Sequence, residues 1–556
     1  MGPVARFFDD IRAVYKTGEA SEHSYRPALQ ALFDALSPDD LAVINEPRRT
    51  HVGAPDFSFL RDGVPVGHCE AKDVGHDLTE LKGYNVEQKA RYTKAFPNLL
   101  YTNGLEFEFI FEGDRRALIS IGDVLMGDLQ PRPDVFDELE HWLRDFFVER
   151  PRTIHSSKKL AEMMAGKAAL IKDVMRRALL ADLKDKTATP LVDQYSAFKE
   201  HLIHDIQAAD FADLYAETIA YGLFAARLHD ETLETFSRTE ALELLPKSNP
   251  FLRSLFSYIA GPDLDDRIAW IIDELAKIFL ACDLKSIMAD FGKLTGQNDP
   301  FLHFYETFLA AYNPAKRKAR GVWYTPEPVV NFIVRAVDEV LKTEFGLADG
   351  LADTSKVKVK FDTGQHITNV DGTIKKRGGG RAYEEREVHR VQILDPATGT
   401  GTFLAEVIKQ IAPRIKGVAP GMWSKYVEDE LIPRLHGFEL LMASYAMCHM
   451  KLDMILTELG YKPTGTPPRL SVYLTNSLEE GEPADQTLPF AQWLSKEAKG
   501  ANTIKRDMPI MCVIGNPPYN IQSGNMESEQ VSLIDSYRFV DGVKIKEKGM
   551  LQFEKI

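Results

Sequence analysis

A strand, a glycine turn and the start of a helix follow one another in Val391-Gln-Ile-Leu-Asp-Pro-Ala-Thr-Gly-Thr-Gly-Thr-Phe-Leu404. This order is the opening unit of a doubly wound α/β sheet, in which ligands bind at the carboxyl ends of the strands. Glycines at positions 399 and 401 let the backbone turn tightly and approach a ligand. Asp395 ends the strand, where its carboxylate could accept a hydrogen bond from a ligand ammonium or hydroxyl group. No phosphate-binding lysine follows, which argues against a nucleoside triphosphate.

A second apolar strand leads directly into Asn516-Pro-Pro-Tyr519. The two prolines fix the backbone, so Asn516 is held rigidly at the strand end. The side-chain carbonyl of Asn516 and the backbone carbonyl of Pro517 then face one point, and the Tyr519 ring can stack on a flat molecule. These groups suit a planar amine, because its two protons need two acceptors.

Together, the two motifs resemble those of S-adenosylmethionine-dependent methyltransferases that modify the exocyclic amine of adenine in DNA. The resemblance implies that methyl transfer is served by Asn516, Pro517, Pro518 and Tyr519. It implies that the cofactor is bound by Tyr324, Thr325, Pro326, Asp395, Pro396, Ala397, Thr398, Gly399, Gly401, Phe403, Glu439 and Asn476. Within that set, Glu439 is expected to accept hydrogen bonds from both ribose hydroxyls, as acidic residues do in dinucleotide folds.

The amino-terminal part of the chain carries a group of carboxylates beside a lysine. Asp56 and the segment Glu70-Ala-Lys72 fall on two predicted neighbouring strands, after a helix that bears Glu22. Carboxylates on neighbouring strands can bind one hard cation, and Mg²⁺ prefers oxygen ligands. Lys72 shares a strand face with Glu70, where its ammonium group could orient an attacking water.

The following predicted helix narrows the interpretation of these carboxylates. It carries Gln88 and Tyr92, which share one face because they are four residues apart. The whole set resembles the PD-(D/E)XK nuclease superfamily in the form with a Gln-x-x-x-Tyr helix. The resemblance implies a nuclease site of Asp56, Glu70, Lys72, Gln88 and Tyr92, with Mg²⁺ bound by Glu22, Asp56 and Glu70.

The pattern of elements predicts an α/β protein of three parts. Residues 1–150 are expected to form the PD-(D/E)XK nuclease domain, residues 151–310 an all-helical connector, and residues 311–556 a Rossmann-like methyltransferase domain. We expect four strands in the last of these, at 391–394, 435–438, 471–474 and 511–514, which makes an incomplete sheet. Basic stretches at 313–320 and within a predicted flexible hairpin loop at 355–390 could contact DNA phosphates.

Composition excludes several classes of protein. Of the 556 residues, 44% are hydrophobic, which is typical of globular proteins rather than disordered or fibrous ones. The four cysteines are scattered and predict neither disulfides nor a zinc site, which favours a cytoplasmic location. No apolar run is long enough for a membrane span. The net charge of −15 argues against nonspecific coating of nucleic acid but permits a local basic patch.

The sequence ends at Ile556, soon after Tyr519. Because further strands and a target-recognition domain normally follow in the methyltransferases that it resembles, we expect a truncated chain without a carboxyl-terminal target-recognition domain. The recognition sequence in DNA is therefore not predicted.

The combined motifs are similar to single-chain restriction–modification enzymes of type IIG, and also to type ISP. The resemblance implies adenine methylation of double-stranded DNA with S-adenosylmethionine and Mg²⁺-dependent cleavage of unmodified DNA. Several alternatives stay open: a translocating restriction enzyme, a phage-defence methyltransferase with a non-cleaving nuclease-like domain, a protein-glutamine methyltransferase, a non-enzymatic DNA-binding or assembly module, and an inactive fragment.

Overall fold

The computed structural model of the protein describes residues 2–45, 55–61, 64–74, 76–79, 81, 83–148, 156–228, 230, 235–244, 253, 256–257, 261, 264–282, 287, 300–313, 325–366, 381–478, 489–517, 539–540 and 543–544. By its internal contacts the chain divides into two units. Unit 1 comprises residues 1–196, 205–245 and 253–300, and unit 2 comprises residues 197–204, 246–252 and 301–556.

Unit 1 is built around one sheet whose strands follow the order of the sequence. Its strands are β1 (Leu41–Asn45), β2 (Phe57–Arg61), β3 (Val64–Ala71), β4 (Asn98–Thr102), β5 (Glu106–Phe111) and β6 (Asp114–Ser120). Neighbouring strands are antiparallel except β3 and β4, which are parallel. A parallel pair needs a crossover connection, and the helix Tyr84–Ala95 supplies it. A separate hairpin consists of β7 (Gly122–Leu125) and β8 (Asp128–Pro131).

The helices of the first part of the chain are α1 (Pro3–Tyr15), α2 (Glu22–Leu36), α3 (Tyr84–Ala95), α4 (Phe136–Val148), α5 (Ser157–Asp185), α6 (Pro190–His201), α7 (Ala208–Leu228), α8 (Arg238–Leu244) and α9 (Asp266–Leu280). One face of the sheet packs against α1, α2 and α4. Alternate residues such as Phe57, Phe59 and Cys69 point into this core because side chains alternate along a strand. The residues between them point to the other face, which therefore carries His68 and Glu70.

That second face contains a buried polar chain that joins the sheet to two helices. Ser58 Oγ lies 3.0 Å from His68 Nδ1, and His68 Nε2 lies 3.4 Å from a Glu274 carboxylate oxygen. The other oxygen of Glu274 accepts a hydrogen bond from Lys167 Nζ at 2.6 Å. Lys167 belongs to α5 and Glu274 to α9, so these helices pack with the sheet in unit 1. The division into three domains stays a prediction.

Unit 2 contains a four-stranded parallel sheet at the four positions predicted from the sequence. The strands are β11 (Gln392–Asp395), β12 (Leu435–Glu439), β13 (Ser471–Leu474) and β14 (Ile510–Val513), arranged in the order β13-β12-β11-β14. A hairpin of β9 (Lys356–His366) and β10 (Arg381–His389) precedes the sheet, and a short hairpin of β15 (Phe539–Val540) and β16 (Val543–Lys544) follows it.

The helices from residue 300 onward are α10 (Pro300–Tyr312), α11 (Glu327–Thr343), α12 (Thr402–Val418), α13 (Trp423–Tyr426), α14 (Met442–Glu458) and α15 (Pro489–Asp507). A π-helical turn spans Val427–Leu431, and 3-10 turns span Pro133–Val135, Gly350–Ala352, Pro420–Met422 and Ile432–Arg434. Helices α12 and α14 each follow a strand of the parallel sheet, which places their amino termini at the carboxyl ends of β11 and β12. Ligands bind at that edge in open α/β sheets.

The hairpin predicted at 355–390 is present as a paired antiparallel ribbon of β9 and β10, and the flexibility expected of it stays a prediction. Opposite charges face one another across the ribbon: Lys358 pairs with Glu387, and Lys360 pairs with Glu385. Such cross-strand pairs stabilise a ribbon and neutralise its lysines. The basic stretch of the predicted loop, at 375–380, lies outside the described residues, as do positions 314–320 of the other basic run.

All four cysteines are free and buried, which agrees with the prediction that they form no disulfide. Across the described part of the chain, no helix is both long and apolar enough to cross a membrane.

Candidate active sites

The first candidate site lies at the carboxyl ends of the parallel strands of unit 2. Asp395 ends β11 and is buried, with one carboxylate oxygen accepting a hydrogen bond from the Ala397 N–H at 3.1 Å. The other oxygen, Oδ2, has no hydrogen-bond partner among the described residues. Burial raises the pKa of Asp395 from its ordinary value of 3.8 to about 7, and the charge of Glu439 acts in the same direction. A buried carboxylate in this state is ready to take a cationic or hydroxyl partner.

The glycine loop after Asp395 adopts the backbone that the sequence predicts. Gly399 and Gly401 have φ angles of 53° and 82°, in the left-handed region that favours glycine. A Cβ on Gly401 would lie 2.7 Å from the Cys448 sulfur, whereas a Cβ on Gly399 would meet nothing within 4 Å. Gly401 is therefore required by both conformation and packing, and Gly399 by conformation alone.

Other residues of the motif hold the loop in place. Thr398 binds the Phe438 carbonyl through its N–H at 3.0 Å and its hydroxyl at 3.1 Å, which attaches the loop to β12. The Ser477 hydroxyl donates a hydrogen bond to the Pro396 carbonyl. Phe403 is buried. Ser477 was missed by sequence reasoning because no local pattern marks a contact with residue 396.

Glu439 ends β12 and binds backbone N–H groups of two segments. One oxygen accepts from Gly399 at 2.7 Å, and the other accepts from Leu440 and Leu441 at 2.8 Å each. Burial raises its pKa to about 7. A carboxylate has about four lone-pair positions, so three of these bonds leave room for a further donor. Its predicted role in binding ribose hydroxyls stays a prediction.

Asn476 follows β13 at the same edge of the sheet. Its side-chain carbonyl accepts a hydrogen bond from the Leu478 N–H at 3.1 Å, and its backbone carbonyl accepts one from Lys505 Nζ at 2.6 Å. Lys505 also binds the Thr475 hydroxyl at 3.0 Å. The predicted position of Asn476 near the cofactor adenine is untested, but the residue does stand in the row of strand ends.

The Asn-Pro-Pro-Tyr motif meets the glycine loop through Gly515. A Cβ on Gly515 would lie only 2.6 Å from Asp395 Oδ1, so the backbone before Asn516 passes directly over that carboxylate. Gly515 was not selected from the sequence, although its place before Asn516 was a usable signal. The Asn516 amide nitrogen donates a hydrogen bond to the Thr325 hydroxyl at 3.0 Å. Pro326 is exposed and immediately precedes α11. Tyr324, Pro518 and Tyr519 lie outside the described residues.

The second candidate site lies in unit 1, on the sheet face covered by α3. The ladder between β2 and β3 pairs Phe57 with Cys69, so the adjoining residues Asp56 and Glu70 stand side by side at its end. Both carboxylates are buried. Asp56 accepts a hydrogen bond from the Ala71 N–H at 2.8 Å.

Glu70, Lys72 and Gln88 form one hydrogen-bonded triangle. Lys72 Nζ donates to Glu70 at 2.7 Å and to the Gln88 side-chain carbonyl at 3.0 Å. The Gln88 amide nitrogen donates to the same Glu70 oxygen at 2.8 Å. Tyr92, one turn further along α3, is fully buried; burial first and the Glu70 charge second raise its pKa well above the ordinary value. The structure thus brings together all five residues of the predicted nuclease site, while the Glu22 side chain lies outside the described residues.

Sequence reasoning missed two residues of this site. Arg26, on α2, forms a buried ion pair with Asp56. Tyr101, on β4, pairs with Glu70 in the strand ladder, and its buried hydroxyl has no hydrogen-bond partner among the described residues. Within the described part of the chain, no group of three or more His, Cys, Asp or Glu side chains is arranged to hold a metal ion. Arg26 could have been noticed, since it lies one helical turn after Glu22.

Comparison with known proteins identifies the domain that contains the first site. Residues 296–350 and 382–553 match the family model described as N-6 DNA Methylase. The residues skipped between these ranges include β9. The match supports an N6 adenine DNA methyltransferase domain in this part of the chain, and the family implies S-adenosylmethionine as cofactor. No curated protein matches the chain by sequence.

Several solved structures resemble the chain at low sequence identity. The "cryoEM structure DrdV-DNA complex" is 20% identical with a TM-score of 0.43, over 99% of this chain and 48% of that one. A nuclease-deletion mutant of the Type ISP restriction-modification enzyme LlaGI, in complex with a DNA substrate mimic, is 17% identical with a TM-score of 0.43, over 72% and 28% of the two chains. The ATP-dependent Type ISP enzyme LlaBIII bound to DNA is 18% identical with a TM-score of 0.46, over 76% and 25%. The chain therefore spans about half the length of the first structure and about a quarter of the other two.

Proposed function

We propose that unit 2 transfers a methyl group from S-adenosylmethionine to the exocyclic amine of adenine in double-stranded DNA. The observation that carries the proposal is the hydrogen bond between Asn516 and Thr325, with the backbone before Asn516 passing over Asp395. All three residues lie in the part of the chain that matches the N-6 DNA methylases. An amine acceptor and the expected cofactor residues thereby share one edge of the sheet.

The residues at this edge fit the proposed cofactor. The Asp395 oxygen that has no hydrogen-bond partner among the described residues is a buried acceptor, and it suits the ammonium group of the methionine part. Glu439 keeps one lone-pair position for a ribose hydroxyl, and the backbone at Gly399 leaves open space at the loop. S-adenosylmethionine, when bound, supplies an electrophilic methyl group on sulfur.

Asn516 and Pro517 are proposed to hold the adenine amine. Because the Asn516 amide nitrogen is taken by Thr325, its carbonyl oxygen is left as the acceptor for an amine proton. The Pro517 carbonyl accepts the second proton, and Tyr519 stacks on the base. The target adenine must leave the duplex to reach these groups, because its amine is not accessible inside the helix. Hydrogen bonds from both amine protons to these carbonyls make the nitrogen lone pair available for attack on the methyl group. As the N–CH3 bond forms, the S–CH3 bond breaks with its electron pair left on sulfur, and the amine nitrogen then loses one proton to solvent.

The experiment is methylation of duplex DNA with radiolabelled S-adenosylmethionine, with Asn516→Ala compared with the unchanged protein. We expect Asn516→Ala to reduce methyl transfer by roughly 100-fold or more, as for loss of an electrostatic catalytic group. Binding of S-adenosylmethionine, measured by calorimetry, should persist. Methylation at the original rate in Asn516→Ala would contradict the assignment.

We further propose that the site in unit 1 cleaves unmodified DNA with Mg²⁺. Mg²⁺ is commonly held by one or two carboxylates with water in the remaining positions, and Asp56 and Glu70 provide two adjacent carboxylates. A bound Mg²⁺ would polarise the phosphate and lower the pKa of a water molecule. Lys72 stands beside Glu70, where its ammonium group can orient the attacking water, and Gln88 fixes both groups.

One observation favours a second candidate for this unit, a domain that binds DNA without cutting it. Arg26 forms an ion pair with Asp56, and both side chains are buried. A guanidinium in this position neutralises the carboxylate that Mg²⁺ would need. For cleavage, the ion pair between Arg26 and Asp56 must break so that the Asp56 carboxylate can bind the metal ion.

Cleavage of unmethylated phage DNA with Mg²⁺ separates the two candidates. If unit 1 is a nuclease, the unchanged protein cuts the DNA, and Asp56→Ala stops cutting while methylation continues. If it only binds DNA, no cutting occurs with or without S-adenosylmethionine, and Asp56→Ala changes nothing. Loss of both activities in Asp56→Ala would argue against two independent sites.

The two proposed activities together describe a restriction–modification protein, in which methylation protects the sites that the nuclease would otherwise cut. DNA is the one substrate that both sites share, which favours a DNA amine over a protein glutamine as the methyl acceptor.

A further inference from the structure

Three arginines surround one carboxylate between α3 and α5 in unit 1. Asp173 forms ion pairs with Arg91, with Arg177 at 2.9 Å and with Arg176 at 3.3 Å. Arg91 and Arg177 also lie over the ring of Tyr84, with guanidinium carbons 5.5 and 4.5 Å from the ring centre. We call these five residues the arginine cluster. Three positive charges against one negative charge leave a local excess of two, in a chain whose net charge is −15.

The arginine cluster is reachable from solvent. The side chains of Arg91, Arg176 and Arg177 are 17%, 37% and 22% exposed. Tyr84 is 46% exposed, so its ring and the guanidinium groups above it lie at the surface. Tyr84 and Asp173 hold the guanidinium groups in fixed positions, so little side-chain freedom remains to be lost when a ligand binds.

The cluster is adjacent to the proposed nuclease site through α3. Tyr84, Gln88 and Arg91 are spaced i, i+4 and i+7, so they form one stripe along the helix. Gln88 contacts Glu70 and Lys72, and the cluster residues stand one turn away on either side, roughly 5 Å along the helix axis. The α3 residues of the cluster therefore lie next to the proposed nuclease site on the same helix.

We propose that the arginine cluster binds backbone phosphates of the DNA strand that enters the site of Glu70, Lys72 and Gln88. Guanidinium groups match phosphate because their N–H groups form paired hydrogen bonds to its oxygens. The inference rests on the proposed function of unit 1 as a domain that acts on DNA, whether or not it cleaves. Beyond that function, the inference identifies the surface of unit 1 that binds the DNA strand.

The test measures binding of a duplex DNA without divalent cations, by fluorescence anisotropy, over a series of potassium chloride concentrations. The full chain is compared with Arg176→Gln, with Arg176→Gln/Arg177→Gln and with the control Arg144→Gln, an exposed arginine on α4. We expect the double variant to bind roughly tenfold more weakly at moderate salt, and the slope of log affinity against log salt to fall by about 0.9 for each lost phosphate contact. Arg144→Gln should bind as the unchanged protein does.

A substitution that raises the positive charge of the arginine cluster distinguishes an effect of charge from a loss of folding. Asp173→Asn removes the negative charge of the cluster but keeps a side-chain carbonyl that can accept a hydrogen bond from an arginine, so it should bind DNA more tightly and with a steeper salt dependence. Weaker binding in all cluster variants, including Asp173→Asn, would indicate a structural role and overturn the proposal. Equal competition by polyglutamate would overturn the choice of DNA as ligand.

Failure of this inference can be told apart from failure of the proposed function. If the unchanged protein binds and methylates DNA while the double variant matches Arg144→Gln in affinity and salt slope, only the arginine cluster is excluded. If the unchanged protein neither binds nor modifies DNA, the proposed function fails and the cluster proposal fails with it.

Discussion

The Asn516 amide nitrogen lies 3.0 Å from the Thr325 hydroxyl, although 191 positions separate the two residues in the chain. Asn516 follows β14, and Thr325 precedes α11. The contact joins the segment expected to bind the methyl acceptor to the segment expected to bind the cofactor. It also fixes which side of the amide faces away from Thr325, and that side is the carbonyl oxygen.

The Thr325 contact predicts a specific loss of turnover. Thr325→Val removes the hydroxyl but keeps the shape, so Asn516 would lose its orienting partner. We expect kcat for DNA methylation to fall about fivefold, since one hydrogen bond contributes roughly 1 kcal/mol. Thr325→Ser retains the hydroxyl and should keep most of the activity. Steady-state methylation rates of both variants check this prediction. Equal rates for Thr325→Val and Thr325→Ser would argue against a role of the Thr325 hydroxyl in orienting Asn516.

Asp395 predicts that cofactor affinity depends on pH. Its pKa of about 7 means that the carboxylate is largely protonated below that pH, whereas an ammonium partner needs it ionised. Binding should therefore release a proton below pH 7, and affinity should rise with pH up to about 7 and then level off. Calorimetry in buffers of different ionisation enthalpy measures the released proton. Asp395→Asn should bind weakly and lose the pH dependence; an unaltered profile would show that another group titrates.

The same carboxylate predicts how stability changes with pH when no ligand is bound. Because its folded pKa is raised from 3.8 to about 7, the folded chain holds more protons than the unfolded chain between these values. The free energy of unfolding of unit 2 should therefore decrease as pH rises from about 4 to about 7. Glu439, whose pKa is also about 7, contributes in the same direction. Denaturant unfolding of Asp395→Asn across this range should show a smaller decrease than the unchanged protein.

Two glycines, one in the cofactor loop and one near the carboxyl end of α12, predict different effects of substitution by alanine. Gly401 has a φ of 82°, and a Cβ there would lie 2.7 Å from the Cys448 sulfur. Gly401→Ala should therefore destabilise unit 2 by about 1–3 kcal/mol. Gly417 lies in α12, and a Cβ there would meet nothing within 4 Å, so Gly417→Ala should be neutral or stabilise by up to about 1 kcal/mol. Thermal unfolding of both variants provides the comparison, and an unchanged melting temperature in Gly401→Ala would mean that the loop tolerates a side chain.

The buried pair of Lys167 and Glu274 predicts a large loss of stability in unit 1. Burial lowers the pKa of Lys167, and the charge of Glu274 opposes this effect. Glu274→Leu would leave the lysine buried without its partner, at a cost of about 3–5 kcal/mol. Adding Lys167→Met should recover much of the loss because no unpaired charge remains.

The exposed pair of Lys158 and Glu162 is the matched control for this prediction. Their charged atoms are 4.0 Å apart and their side chains are 81% and 50% exposed, so Glu162→Gln should change stability by less than about 0.5 kcal/mol. Hydrogen exchange of β3 and α5 reports unit 1 alone. If the changes in the free energy of unfolding of Glu274→Leu and Lys167→Met simply add in the double variant, the two side chains are not coupled.

Sequence patterns located most elements but missed several strands. The helices around Glu22, Gln88 and Phe403 and the four parallel strands of unit 2 were predicted correctly, because hydrophobic periodicity is a local property. Strands β1, β6, β7 and β8 were not predicted. All four have mostly exposed or half-exposed residues, so their apolar alternation is weak.

The sequence alone determined the chemistry available at each site. The glycines of the cofactor loop, the prolines after Asn516 and the acidic residues at strand ends are chosen by backbone geometry within a few positions, so they can be read directly. Tertiary structure alone decided the partners: Thr325 for Asn516, Arg26 for Asp56, and Arg91 for Asp173. These contacts join segments that are distant in the chain, and only the packing of helices against sheets brings such segments within hydrogen-bond distance.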